Sequence, residues 1–317
     1  MEKWILFTVL MVVAGALFQA PFLIDFYFQA NDVLVRSAMD FIWPLALAIS
    51  LFLSEKLVLF SHFMHYVSCF LCSAQLMILN FTGARDNENI IIRRWVTSLS
   101  SSFMIPAAII TSFFLKGKSQ NVANANHVRA FLASLFLAFI GYTFFDYIMS
   151  STMWADKVIN NFETYIGLLV PSLLSGICLG LIAWTIKEEG ILPSLQWISI
   201  FSFFLTLINI HYFFKKIQDL TPKQVVSVLY LLPINAIWKL APLFSFTTLR
   251  GSESLMLFTG GAVLVVSLVE MIIERKFPEF MFWFFLVVLT GTYVIFQFDE
   301  RKNKEIQHQQ TAGKNLV

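Results

Sequence analysis

The segment Phe280–Phe298 decides the fold class, because its sequence FMFWFFLVVLTGTYVIFQF contains no Asp, Glu, Lys or Arg. A transmembrane helix needs about 20 predominantly apolar residues to cross the hydrocarbon core of a bilayer. The segment has this length and is apolar almost throughout. It therefore predicts a membrane-spanning helix, and similar segments recur along the chain.

The composition of the whole chain agrees with this prediction. Of the 317 residues 58% are hydrophobic and 13% are charged, whereas about 25% of a soluble domain is charged. So few polar side chains cannot cover a water-facing surface, which excludes an ordinary soluble enzyme and a disordered chain. The 22 Lys and Arg are balanced by 20 Asp and Glu without a basic block, which argues against nucleic acid as a partner. The expected partner is the lipid bilayer.

Ten segments match the spanning pattern when single charged exceptions are allowed, and they predict an all-α, polytopic membrane protein of about ten transmembrane helices. In chain order they are Trp4–Ile24, Val33–Ser54, Leu57–Asn80, Trp95–Leu115, Val128–Met149, Thr164–Ile186, Ile191–Phe214, Val225–Phe246, Leu255–Ile273 and Phe280–Phe298. The first is longer than the apolar core of a signal peptide, about 7–15 residues, so we expect it to be retained. Lys and Arg are almost equally divided between the two sets of loops, so the positive-inside rule leaves the orientation open.

The ends of the two halves of the chain have a similar layout, which suggests a five-plus-five duplication. In the first half a basic turn, Leu115–Lys118, precedes a helix that carries the glycine-and-aromatic run Phe139–Phe145. In the second half the turn Glu274–Lys276 precedes a helix that carries the comparable run Leu289–Phe296.

This layout resembles the drug/metabolite transporter superfamily, of the EamA-like, ten-helix type. Arg36 is similar to the family's arginine at the start of its second helix, and Pro106 fits the family's usual proline in helix four. The resemblance implies two inverted five-helix repeats over residues 1–150 and 151–299, followed by a polar tail over residues 300–317. It also implies that helices one to four and six to nine line a central cavity, with helices five and ten as peripheral supports.

Ionisable residues inside the predicted spans are the candidates for function, because such a group costs about 2.5–3.5 kcal/mol in hydrocarbon and usually faces a cavity or a partner. These residues are Asp40, His62, His65, Lys239 and Glu270. Asp146, His211 and Arg36 lie nearer the ends of spans, where reaching out to the membrane interface explains them.

Helix eight is the most irregular of the predicted spans. Pro233 and Pro242 flank Asn235, Trp238 and Lys239, and each proline removes a backbone hydrogen bond. Such breaks persist in membranes where neighbours or cavity water satisfy the freed carbonyl groups. We expect this helix to line the substrate path; the alternative is a kinked scaffold helix.

Two further aromatic residues complete the predicted substrate-binding set. Trp43 and Tyr230 could stack on a planar or cationic substrate. An ion pair between Asp40 and Lys239 is an open alternative, because the family fold would place both residues around the central cavity. The full set is Asp40, Trp43, His62, His65, Tyr230, Asn235, Trp238, Lys239 and Glu270.

His62 and His65 are three residues apart and share one helix face, a spacing that could supply two metal ligands. No Asp or Glu accompanies them on that helix, so we predict no metal site and favour a polar lining or a packed pair. A third interpretation is that they titrate near neutral pH and couple protons to transport. Cys69 and Cys72 form a C-x-x-C spacing inside an apolar run, which we interpret as small packing residues.

The expected function is secondary active transport of a small amphipathic metabolite by alternating access. The chain has no GxxxxGK[ST] loop for ATP, and we predict neither a cofactor nor enzymatic activity. The resemblance implies an amino acid, an S-adenosylmethionine-like metabolite or a drug as substrate, in a bacterial inner (plasma) membrane, and leaves a homodimer open. The alternatives are a membrane-embedded lipid-modifying enzyme, whose paired Asp-rich or H-E-x-x-H motifs are not found, and a non-transporting partner subunit.

Overall fold

The computed structural model of the protein describes residues 3–28, 42–82, 90–115, 125–150, 162–216, 221–275 and 277–314. These residues form ten α-helices and contain no β-strand, which confirms the all-α prediction for the described part of the chain. The helices are α1 (Lys3–Phe28), α2 (Ile42–Ser54), α3 (Phe63–Thr82), α4 (Ile90–Phe114), α5 (Ala125–Ser150), α6 (Phe162–Glu189), α7 (Ile191–Lys216), α8 (Pro222–Ser245), α9 (Gly251–Glu274) and α10 (Phe280–Lys314). The last helix continues beyond the predicted span into the predicted tail.

Four helices of the described ranges are long and apolar enough to cross a membrane. The qualifying segments are Val128–Tyr147 in α5, Leu169–Glu189 in α6, Gly251–Ile272 in α9 and Phe280–Phe298 in α10. The apolar parts of α1, α2, α4, α7 and α8 are shorter, as in Leu229–Ser245 of α8. By length and composition, four of the ten predicted spans are therefore supported.

The link between α2 and α3 differs from the prediction. The predicted third span begins at Leu57, whereas α3 begins at Phe63. Glu55 has a φ of 59°, the left-handed conformation in which many helices end. Residues 55–62, which we call the strap, are not helical. An apolar sequence therefore does not make this part of the chain helical.

Helix pairing is dominated by a few extensive interfaces. Helix α4 packs against α5, α6 and α9, while α1 packs against α8 and α9. Helix α7 packs against α2 and α3, α3 packs against α6, and α10 packs against α5 and α9. Most of these partners are distant in sequence, so the order of the helices in space is not their order along the chain.

Two glycines of α6 lie directly on α4. A Cβ atom at Gly176 would lie 2.3 Å from the carbonyl oxygen of Met104, and one at Gly180 would lie 2.8 Å from Cβ of Thr111. The later glycine of α6 meets the later residue of α4, because Gly176 contacts Met104 and Gly180 contacts Thr111. Helices α4 and α6 therefore run parallel. Because these distances are shorter than any van der Waals contact, only glycine allows this approach.

The α1–α9 interface has the same character. A Cβ atom at Gly15 would lie 2.0 Å from the carbonyl oxygen of Phe258, and one at Gly261 would lie 2.0 Å from that of Val12. Small residues on both helices thus let the two backbones touch, as is common where membrane helices associate.

Two large apolar cores fill the described bundle. One joins α4, α5, α9 and α10 and includes Trp95, Phe144 and Phe285. The other joins α2, α3, α6, α7 and α8 and includes Trp43 and Phe60. Each of these two cores contains helices from both predicted halves of the chain, so the two halves pack together through them.

Candidate functional site

Lys239 of α8 lies inside the bundle although it carries a charge. Its side chain is 2% exposed. The ammonium nitrogen Nζ lies 5.9 Å from the ring centre of Trp43 and 5.6 Å from that of Trp238. An ammonium over an aromatic face gains about 0.5–2 kcal/mol. Helix α8 therefore supplies the cation, and α2 supplies one of the two rings beside it.

Trp238 connects the surroundings of the Lys239 side chain to α1. Phe18 of α1 packs edge-on against Trp238, with the ring centres 5.1 Å apart. The indole Nε1 of Trp238 is buried and has no hydrogen-bond partner among the residues that the structure describes. Asn235, one turn before Lys239, is also buried. We call Trp43, Asn235, Trp238 and Lys239 the Lys239 site; it lies where α1, α2 and α8 meet.

The structure places four of the predicted substrate-binding residues in this site, namely Trp43, Asn235, Trp238 and Lys239. Helix α8 is continuous through both of its internal prolines, so one helix carries three of the four residues. Tyr230 lies on the same helix but is 62% exposed, outside this buried group. Asp40 lies outside the described residues.

His65 forms a separate polar site with a residue that the sequence interpretation does not include. Its Nδ1 atom lies 2.7 Å from Oε1 of Glu189, an ion-pair distance when the imidazole is protonated. The His65 ring is buried and lies 4.4 Å from the Trp184 ring, centre to centre. His62 is exposed, although its ring centre is 5.7 Å from that of His65. The two histidines are thus neighbours, and only His65 is enclosed.

The strap is held by side chains from the α6–α7 turn. The Ser61 hydroxyl donates a hydrogen bond of 2.8 Å to Glu189 Oε1. The Val58 backbone N–H donates to Gln196 Oε1 at 3.0 Å, and the Trp197 indole N–H donates to the Val58 carbonyl oxygen at 2.8 Å. These bonds satisfy strap backbone groups that a helix would satisfy internally, which explains why this apolar stretch can be non-helical.

Glu270 lies in a different helix interface from Lys239. Its Oε2 accepts a hydrogen bond of 2.9 Å from the indole N–H of Trp95, which joins α9 to α4. Further along α4 the Ser101 hydroxyl lies 2.8 Å from that of Thr259, which precedes Glu270 on α9. The two contacts show that α4 and α9 run antiparallel. Glu270 therefore belongs to the aromatic core of α4, α5, α9 and α10.

Glu189 and Gln196 are the polar residues that sequence reasoning missed. Both flank the α6–α7 turn, where Gly190 has a φ of 93°. The segment Lys187–Gly190 has the composition of an ordinary solvated loop, and only its contact with the strap distinguishes it. Within the described ranges no three His, Cys, Asp or Glu side chains come close enough to hold a metal ion.

The chemistry of the Lys239 site suits binding of a small molecule. It offers a cation, an indole N–H donor and two large aromatic rings in a buried setting. The His65–Glu189 pair instead ties the start of α3 to the end of α6, where Glu189 also accepts a hydrogen bond from Ser61 of the strap. The first site is therefore the candidate binding site, and the second is a structural clasp at one end of the bundle.

A scan against models of known protein families finds none that matches the chain, and a search of curated proteins finds no similar protein. The resemblance to the drug/metabolite transporter superfamily therefore rests on the residues and helix layout of this chain alone.

Proposed function

We propose that the chain is a multi-pass protein of the bacterial inner membrane, similar to the EamA-like transporters, which carries a small amphipathic metabolite by alternating access. Its ten described helices would form two inverted five-helix repeats. The pattern of helix pairing is the observation that carries this proposal.

Most of the extensive helix interfaces are kept when every helix number is shifted by five; the exception is α3–α7, whose counterpart α8–α2 is not an extensive interface of the described residues. The α4–α6 interface becomes α9–α1, and α3–α6 becomes α8–α1; all four interfaces are present. The pairs α2–α7, α4–α9 and α5–α10 map onto themselves, and all three are present. A chain built from two equivalent halves gives this pattern. Because five helices per half is an odd number, the halves would have opposite orientations in the membrane.

The close glycine contacts between helices also map onto each other when the helix numbers are shifted by five. Gly15 brings α1 against α9, and Gly176 brings α6 against α4. A shift by five converts the first pair of helices into the second. Close contacts at small residues are common between membrane helices, but here they recur at two interfaces that the shift by five relates, which fits a duplicated architecture.

The position of the Lys239 site fits a transporter. Its residues come from α2 in one half and α8 in the other, with α1 beside them. Rocking of one half against the other would change access to residues at such a junction. The aromatic rings would bind the apolar part of the substrate, and the polar groups would bind its polar part.

Purified protein tests this function directly. A thermal-shift screen against amino acids, nucleosides and S-adenosylmethionine should reveal ligands, because a ligand at 100 times its Kd stabilises the native state by about 2.7 kcal/mol. We expect at least one stabilising compound to enter proteoliposomes faster than protein-free liposomes without added ATP. Folded protein that moves no compound of the panel would contradict transport and favour a partner subunit. Conversion of an added lipid would favour the enzyme.

A further inference from the structure

We infer that Glu189 is the latch of a gate at one end of the bundle. The gate is closed in this structure, and it opens when the start of α3 separates from the end of α6. Its role in substrate access rests on the proposed transport function. Its opening is a motion of helices, which can be measured without any substrate.

One carboxylate oxygen of the second predicted half holds two segments of the first half. Oε1 of Glu189, at the end of α6, lies 2.7 Å from Nδ1 of His65 in α3. The same oxygen accepts hydrogen bonds from the Ser61 hydroxyl at 2.8 Å and from the Ser61 backbone N–H at 3.4 Å. Hydrogen bonds to an ionised acceptor are stronger than bonds to a neutral one. Removing this one charge would therefore weaken all three contacts.

The strap places a buried aromatic ring at the same end of the bundle. Phe60 is buried, although Leu59 beside it is exposed. Its ring centre lies 5.6 Å from that of His65 in α3 and 6.3 Å from that of Trp197 in α7. Phe60 also belongs to the same apolar core as Trp43 of the Lys239 site. The strap therefore covers one end of a core that contains part of the candidate binding site.

Helix α6 is held to its two main neighbours in the first half by contacts of different kinds. Gly176 and Gly180 bring its backbone against α4, and such a contact has no polar group that water could replace. Helix α3 is instead joined to α6 by apolar side chains and by polar pairs, which include the Ser68 and Thr185 hydroxyls, 2.5 Å apart. Polar pairs can be exchanged for bonds to water at a small net cost. Helix α3 can therefore separate from α6 while α4 and α6 stay together.

The closed gate leaves one of its own polar atoms without a partner. The His65 ring is buried, and its Nε2 atom has no hydrogen-bond partner among the residues that the structure describes. Most buried polar groups are hydrogen-bonded, and burying one without a partner is costly. Opening would expose this nitrogen to water, which already reaches His62 and Ser61. This gain offsets part of the loss of the Glu189 contacts, so the open and closed states can coexist.

The distance between two spin labels tests the gate in the full-length protein. Phe63→Cys at the start of α3 and Glu188→Cys at the end of α6 replace exposed residues, in a background without the native cysteines. Double electron–electron resonance in lipid nanodiscs should give a short distance for the closed gate and a longer one for the open gate. Adding Glu189→Gln, which removes the charge at nearly constant shape, should raise the ratio of open to closed protein about tenfold or more.

Glu55→Gln is the matched control for this change. Glu55 is an exposed carboxylate of the strap, so its neutralisation should leave the ratio of open to closed protein as it is in the protein with labels alone. Ser61→Ala removes one hydroxyl donor to Glu189 and should raise the ratio by a smaller factor than Glu189→Gln. It also provides the test should Glu189→Gln fail to fold.

The same single short distance with and without Glu189→Gln or Ser61→Ala overturns the gate. An equal rise of the longer distance in Glu55→Gln overturns the role of Glu189 as its latch. The transport proposal fails on a different observation, namely no flux of any panel compound. Flux through a protein that shows only the short distance would leave transport standing and would reject the gate.

Discussion

Lys239→Met is expected to reduce transport by about ten- to a hundredfold for whichever compound the unmodified protein carries. Methionine has a similar length and apolar stem but provides no charge and no N–H donor. Losing a hydrogen bond to a charged group costs about 1.5–3 kcal/mol, which corresponds to this range of rates. The measurement is initial uptake into proteoliposomes, normalised to the amount of monodisperse protein recovered by gel filtration.

Lys56→Met is the matched control for this experiment. Lys56 is exposed in the strap, so removal of its charge should leave uptake near that of the unmodified protein. Should Lys239→Met fail to fold, Lys239→Gln provides a variant that keeps polarity and a donor but not the charge. Uptake by a folded Lys239 variant equal to that of the unmodified protein would remove this residue from the binding site.

Gly176→Leu is expected to abolish the folded bundle or to lower its stability by roughly 3 kcal/mol or more. The added Cβ atom alone would lie 2.3 Å from the Met104 carbonyl oxygen, so α6 would have to move away from α4. Enlarging a tightly packed residue typically costs about 1–3 kcal/mol, and here the obstacle is backbone that cannot rotate away. The measurement is the melting temperature and the gel-filtration profile.

Gly291→Leu controls for the change in size and apolarity. A Cβ atom at Gly291 meets nothing within 4 Å, so this variant should melt near the temperature of the unmodified protein. Gly15→Leu, at the α1–α9 crossing, should behave like Gly176→Leu. A monodisperse Gly176→Leu protein with an unchanged melting temperature would contradict the close α4–α6 contact.

The helices were largely predictable from sequence, because long apolar segments have few alternatives. The exception shows the limit of this reasoning. Residues 57–62 continue an apolar run and were predicted to begin α3, yet the strap is not helical. Its backbone is satisfied by Gln196 and Trp197, which lie far along the chain, and no local pattern contains that information.

The candidate site was predictable only in part. The irregular sequence around Lys239 predicts a segment that lines the substrate path; in the structure Asn235, Trp238 and Lys239 are buried, and Trp43 lies beside Lys239. The ionisable residues of the other helices did not join that site. His65 lies against Glu189 and Glu270 against Trp95, because helix neighbours depend on three-dimensional packing that single-helix patterns do not specify.

The central claim is that two five-helix halves lie in the membrane with opposite orientations, and single-cysteine labelling tests it most directly. Three variants, each in a background without Cys69, Cys72 and Cys178, place one exposed thiol at a known position: Lys56→Cys in the strap, Glu188→Cys at the end of α6 and Lys223→Cys at the start of α8. The strap contacts the end of α6 at Glu189, whereas Lys223 follows α7 at its far end.

Labelling with a membrane-impermeant maleimide in right-side-out and inverted vesicles gives the side of each thiol. The cysteines at positions 56 and 188 should react from one face of the membrane, and the cysteine at position 223 should react from the opposite face. Reaction of positions 56 and 223 from the same face would contradict the inverted repeat.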